Sequence, residues 1–317
     1  MSNPYYNLDF FGVLLLFFQR MPQWILQGLD SSTLATDEIQ ILVLTFLGIS
    51  SALTGSFLVL KKMAMLANSI SHTVLLGIIP AFLLSASVEL NLTALLISAL
   101  LAALMTAFFT EALTKWTRLQ EDASTGIIFT SLFALGIILA TLLTRSSHVG
   151  AEAVMGNADA LHWHDVKGSF VILVANLTLV ALFFRQWQLI SFDPNYAKML
   201  GIPVAAFNYL LLFMASVTLV GSFRAVGVLM VLTFITAPAL LARLYCKSLA
   251  PLLIFSSAVA FLCSLFGVAL TRHLLTTQDL ALSTGGLVVT LIGGLYLLCL
   301  AIFRILSWKF DFFRKER

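Results

Sequence analysis

Residues 63–86 read M-A-M-L-A-N-S-I-S-H-T-V-L-L-G-I-I-P-A-F-L-L-S-A. The stretch is long and apolar enough for a membrane-spanning helix. Its middle nevertheless carries Asn68, Ser69, Ser71, His72 and Thr73. Polar and ionisable side chains are costly in hydrocarbon, so they face a bundle interior or a conduction pathway. Asn68 and His72 stand four apart, on one helix face, with Cβ atoms roughly 5–6 Å from each other. An amide oxygen and an imidazole on one face can present two ligands to a transition metal. The plainer alternative is a histidine that hydrogen-bonds a neighbouring helix.

The rest of the chain agrees with a membrane setting. It has 317 residues, 60% of them hydrophobic and 10% charged, with mean hydropathy +1.00. A soluble domain carries about 25% charged residues. No nucleic-acid partner is supported. The 26 phenylalanines suit packing and lipid-facing positions. Cys246, Cys263 and Cys299 are far apart and form no C-x-x-C pair, so structural thiols are expected. Residues 1–9 hold no basic residue ahead of the apolar run, unlike a signal peptide. Residues 10–29 mix apolar side chains with Gln19, Arg20, Pro22 and Gln23, which fits an interfacial helix with a tenth span as the alternative.

Counting stretches of about 20 apolar residues gives nine expected spans, near 40–60, 64–86, 92–113, 126–144, 169–185, 204–222, 225–244, 249–270 and 282–303. The expected fold class is an all-α polytopic transmembrane helix bundle of about nine spans, eight to ten. With Lys61 and Lys62 in the cytoplasm, alternation puts 13 of the 18 basic residues there. That follows the positive-inside rule, with the N-terminus outside and the C-terminus inside. The segment Gly221–Ala225 is short enough for a close hairpin or a re-entrant element. The expected division is an N-terminal segment over 1–38, a permease domain over 39–304 and a basic cytoplasmic tail over 305–317.

Two polar connections follow. Residues 145–168 lie outside and carry His148, Glu152, Asp159, His162, His164 and Asp165. Imidazoles two apart are not the spacing of a closed zinc site. His162, His164 and Asp165 are candidate outer metal contacts, against the plainer reading of a polar loop. Residues 191–203, S-F-D-P-N-Y-A-K-M-L-G-I-P, lie inside. Asp193 suits an N-cap, Pro194 the first helical position, and Gly201 with Pro203 a stop. Tyr196, Ala197, Met199 and Leu200 give this short helix an apolar face, for a cytoplasmic partner or for its own bundle.

Elsewhere the features are packing features first. Pro238 interrupts the seventh span. Gly221, Gly227, Gly285–Gly286 and Gly293–Gly294 permit close helix approach. Glu111 and Lys115 form an i,i+4 pair. His273 and Asp279 carry no assignment. There is no Gly-Lys-Ser/Thr, hence no P-loop.

Four ordered blocks carry a resemblance: 55–77 (G-S-F-L-V-L-K-K-M-A-M-L-A-N-S-I-S-H-T-V-L-L-G), 121–136, 191–203 and 225–244. Over about residues 40–303 the chain resembles the permease subunits of ABC importers for manganese, zinc and iron, the ABC-3 family. The resemblance implies a non-enzymatic subunit of the inner membrane that transports manganese, zinc or iron and holds no permanent cofactor. It implies a separate cytoplasmic ATPase dimer, an extracytoplasmic metal-binding protein, and a second permease, identical or sister. Residues 191–203 resemble the coupling helix that faces the ATPase, with Asp193, Pro194, Tyr196, Leu200 and Gly201 in that role. His72 and Asn68 fall where relatives line the metal pathway. Related manganese permeases hold an acid at the position of Asn68, which points to a non-identical partner or to looser binding by His72 and water. A ligating His72 must be neutral, so transport should fall at acid pH. Two other readings are a permease for an iron chelate or cobalamin, and an ion-coupled secondary transporter. The latter would need acids deep in the spans.

Overall fold

The computed structural model describes residues 4–5, 8–27, 34–84, 92–144 and 157–315. His148 and Glu152 therefore lie outside the described residues. Every element among the described residues is helical: α1 (Phe10–Gln27), α2 (Thr36–Leu60), α3 (Ala64–Leu84), α4 (Leu92–Thr117), α5 (Glu121–Thr144), α6 (Trp163–Leu182), α7 (Phe184–Phe192), α8 (Pro194–Met199), α9 (Val204–Val226), α10 (Val228–Tyr245), α11 (Leu249–Gln278) and α12 (Thr284–Lys315). Seven of these, α2, α5, α6 and α9–α12, are long and apolar enough to cross a membrane.

Helix α2 is the axis of the bundle. It packs against α6, α9, α10 and α11, and nearly every residue from Asp37 to Val59 is buried. Its C-terminal half reads S-S-A-L-T-G-S over residues 50–56. Small side chains let helices approach closely, and their hydroxyls then replace the missing hydrophobic drive between helices in lipid. Asn176 on α6 donates to Ser50 Oγ at 2.6 Å and to Thr218 Oγ1 at 2.7 Å. Ser56 Oγ meets Ser256 Oγ at 3.0 Å. Helices α3, α4 and α5 form a flank, tied by a Thr106–Thr73 hydroxyl pair at 2.7 Å, and join the rest through α9 and α10. Outer helices α5, α6 and α12 leave large apolar side chains exposed, such as Ile138, Val171 and Leu297.

Two ends of the bundle are distinct. At one end, Asp37 takes the Arg272 guanidinium through Nε at 3.0 Å and Nη2 at 2.6 Å. Beside it, Glu38 meets Arg20 Nε at 2.9 Å and accepts the Tyr5 hydroxyl at 2.8 Å. Both carboxylates are buried, so helix α2 begins four residues before the span expected from hydropathy at residue 40. Burial and the neighbouring Glu38 push the Tyr5 phenol far above its ordinary value. At the other end, Lys61 donates to Asn208, and Lys115 pairs with Glu111 at 2.6 Å, as the i,i+4 spacing requires.

Helices α9 and α10 are separated by Gly227 alone, with φ 81°. The boundary expected at residues 221–225 lies instead inside the last turns of α9, because only the glycine at 227 takes up the positive φ that breaks the helix. Helix α1, with Pro22 inside it, lies against α11, where Phe10 stacks on Phe266 at 6.0 Å. The glycine contacts differ from the sequence expectation. A Cβ on Gly286, Gly293 or Gly294 would meet nothing within 4 Å. The tightest approaches are at Gly221, where it would lie 2.4 Å from Ile172 Cδ1, and at Gly55 and Gly267, because those glycines face a neighbouring helix at close range.

Candidate metal pathway

Helix α3 carries His72 on the face toward α5. Its ring lies 5.3 Å from the Phe129 ring and 5.7 Å from Phe133. These aromatics fix the plane of the imidazole without using its nitrogens. Ser71 Oγ turns back to the Asn68 carbonyl at 2.6 Å, and Thr73 Oγ1 to the Ser69 carbonyl at 3.2 Å. Such back-bonding satisfies the hydroxyls locally. Asn68 and His72 are left as the half-buried polar groups of this face.

His72 lines a cavity of about 440 Å³. Asn157 and Asp159 line it as well, from the connection before α6, together with the α9–α10 turn at Gly227 and the start of α12. Asp159 is held in place. Its Oδ1 accepts the Thr284 hydroxyl and the Gln40 amide at 3.4 Å, while the Gln40 amide also reaches the Ala158 carbonyl at 3.1 Å. Asp159 also lines a neighbouring cavity of about 520 Å³ with Asp37 and Arg272. One carboxylate thus lines both this cavity and the His72 cavity.

The sequence singled out His162, His164 and Asp165, and the structure does not bring them to His72. They open helix α6. The Asp165 carboxylate accepts the His162 backbone N–H at 2.9 Å, committing it to that helix start. His162 and His164 are exposed; His164 lines a separate cavity with Lys167 and Gly221. Among the described residues no three His, Cys, Asp or Glu side chains gather closely enough to hold a metal ion. Asp159 and Gln40 were missed as a unit, because one sits in a loop and the other begins α2, 119 positions away. No sequence spacing links them.

At the opposite end a cavity of about 690 Å³ is lined by Lys61, Thr110, Glu111, Pro194 and Asn208. Helix α8 borders it. The Asp193 carboxylate accepts the backbone N–H groups of Asn195 at 3.1 Å and Tyr196 at 2.9 Å. Pro194 occupies the first turn, and Gly201, with φ 78°, ends the unit. Ala197 packs inward, while Tyr196 at 51%, Met199 at 85% and Leu200 at 55% remain exposed. Three large apolar side chains at one tip form a surface that water solvates poorly.

Comparison with known proteins gives consistent results. Residues 38–303 match the ABC 3 transport family. A probable metal transport system membrane protein of Chlamydia muridarum is 38% identical over 300 residues, 94% of each chain. The manganese transport system membrane protein MntD of Bacillus subtilis is 37% identical, covering 69% of this chain and 78% of its own. Among solved structures, a chain of PsaBC from Streptococcus pneumoniae in complex with Fab superposes with TM-score 0.71 at 24% identity, covering 90% of this chain and 95% of that one. At that identity the likeness speaks for the fold.

Proposed function

The chain belongs to the ABC 3 transport family, and from that premise we propose that it is the multi-pass permease of an ATP-driven importer of manganese, zinc or iron in the cytoplasmic membrane. The observation that carries the reading is the placement of His72. It stands in the cavity that Asp159 lines from the other side, within a chain whose relatives are metal transport membrane proteins.

In the proposed mechanism an extracytoplasmic binding protein delivers the cation to the end marked by Asp37, Arg272 and Asp159. His162 and His164 are the proposed first contacts there. The ion passes Asp159 and reaches the neutral imidazole of His72, with Asn68 one turn behind. A carboxylate and an imidazole suit manganese, zinc and iron alike. ATP binds to a separate ATPase dimer, which docks on the exposed tip of α8 through Tyr196 and Leu200. Movement of α8 is passed to the cavity at Glu111 and Lys61 and opens the path inward. The nine-span count, with the N-terminus outside and the C-terminus inside, belongs to the same proposal. The alternation it assumes fits Arg20 and Arg272 gathering at one end of the bundle and Lys61 and Lys115 at the other, and the orientation rests on the excess of basic residues that this alternation assigns to the inside. A sister permease is favoured as the partner, because Asn68 is a weaker, uncharged ligand.

The test is metal uptake and metal-stimulated ATP hydrolysis by the complex reconstituted with its ATPase and binding protein. The expected result is uptake of bare divalent metal that is lost in His72→Ala. Uptake in His72→Ala equal to the parent's would remove the ligand role. Stimulation by an iron chelate and not by bare metal would favour the chelate reading.

A further inference from the structure

Gly285 leaves a notch in the wall of the His72 cavity. A methyl group on its Cα would lie 3.7 Å from Met230 Sδ, 3.8 Å from Ser283 Oγ and 3.9 Å from the Val226 carbonyl oxygen. Three donors of different kinds, from the first turn of α10, the residue before α12 and the end of α9, are the atoms nearest that position. The residues that carry them line the same cavity as His72 and Asp159. Val226 is the last residue of α9 before Gly227 turns the chain. Its carbonyl belongs to the negative end of that helix, where the last four carbonyls lack intrahelical donors.

The field at the notch is mixed. The first turns of α10 and α12 bring positive helix ends to it, which oppose a cation. The Asp159 carboxylate and the α9 carbonyl act in the other sense. Such a balance gives shallow binding, which a conducting site needs, because an ion held too firmly cannot leave.

The donor chemistry selects among ions. A thioether is a soft ligand, imidazole suits zinc and iron, and carboxylate and carbonyl oxygens suit manganese, calcium and magnesium. Calcium also takes six to eight oxygens, which this wall cannot offer. We propose that Met230, with Ser283 Oγ and the Val226 carbonyl around the Gly285 notch, is a selectivity station favouring borderline-soft divalent cations, zinc as the probe, over manganese and calcium. The proposal rests on the reading of the chain as a metal permease and narrows its substrate.

The experiment measures radiotracer uptake of zinc, manganese and calcium by the reconstituted importer. Met230→Leu keeps volume and removes the sulfur. Gly285→Ala fills the notch at ordinary contact distances, so it adds no clash. The expected wild-type preference for zinc over manganese is roughly tenfold, falling toward parity in both variants, with calcium excluded by the parent. A wild type that takes up manganese as readily as zinc, or variants that keep the parent's ratio, would overturn the proposal. If Met230→Leu fails to reach the membrane, the wild-type ratio and Gly285→Ala still decide. A wild type that takes up none of the three metals would instead sink the permease reading.

Discussion

Gly55 of α2 lies directly against the Ile235 carbonyl of α10: a Cβ there would sit 1.9 Å from that oxygen and 2.6 Å from its carbon. The obstacle is backbone, so no side-chain adjustment relieves it. The α2–α10 contact is one of those that position α10, and with it Met230 and Val228 in the wall of the His72 cavity. Gly55→Ala should therefore cost at least the roughly 1–3 kcal/mol of an overpacked interior. The control is Gly293→Ala, whose Cβ would meet open space and which should be neutral or slightly stabilising, up to about 1 kcal/mol. Thermal unfolding of the purified chain in detergent reads both. Equal melting temperatures for the two variants would contradict the close packing.

Arg272 and Asp37 fasten α11 to the start of α2, with side-chain exposures of 17% and 5%. Removing one partner strands a buried charge, which costs about 3–5 kcal/mol. Arg272→Met should lower thermal stability by that amount, and Arg272→Met with Asp37→Leu should recover most of it. A double variant as unstable as the single one would show that the pair itself, and not the stranded carboxylate, sets the cost.

Tyr5 makes stability depend on alkaline pH. Its folded phenol value lies above the unfolded one, because of burial first and Glu38 second. Its contribution is thus complete below the unfolded value, about 10, and is lost as pH rises beyond that toward the folded value. The melting temperature of the parent should fall more steeply above about pH 10 than that of Tyr5→Phe. Parallel curves would mean that the phenol is not buried against Glu38.

Acid pH should slow transport through His72. An imidazolium has no lone pair for metal, so uptake should decline as pH drops far enough to protonate His72. His72→Gln, which keeps a donor without titrating there, should flatten the profile at a lower rate. An unchanged profile in that variant would place the titrating group elsewhere.

Leu200 sits on the exposed tip of α8. Leu200→Asp places a charge on the proposed ATPase contact without touching the bundle. Metal uptake should fall by roughly tenfold, the effect of about 1.4 kcal/mol at an interface anchor, while membrane abundance stays at the parent's level. Wild-type coupling of ATP hydrolysis to uptake in this variant would argue against docking at α8.

The α8 unit shows how far local chemistry reaches. An Asp cap, a Pro in the first turn and a positive-φ Gly are one-residue decisions made by neighbours in sequence, and the structure has all three. The same holds for the Glu111–Lys115 pair. The pathway is a different matter. His72 stood out because imidazole is costly in lipid. Asp159 did not, because an acid in a polar loop is unremarkable until Gln40 and Thr284 fix it beside the cavity. Met230 looked like any apolar residue of a span. Glycine roles misled for the same reason: Gly55 is the critical approach and Gly293 is not, which depends on which face each presents to a neighbour.

The sequence by itself determined that the chain is an all-helical membrane protein, roughly where its long helices begin, and which helix carries the polar patch. Those properties follow from hydropathy, capping and backbone sterics, which act between near neighbours. The sequence did not show that α11 runs on to Gln278 and α12 to Lys315, past the ends expected at 270 and 303. Only the tertiary structure decided what His72 faces, which carboxylate joins it and where a soft donor enters. Those side chains come from α3, the connection before α6 and the α9–α10 turn, and nothing but packing around α2 brings them within one cavity.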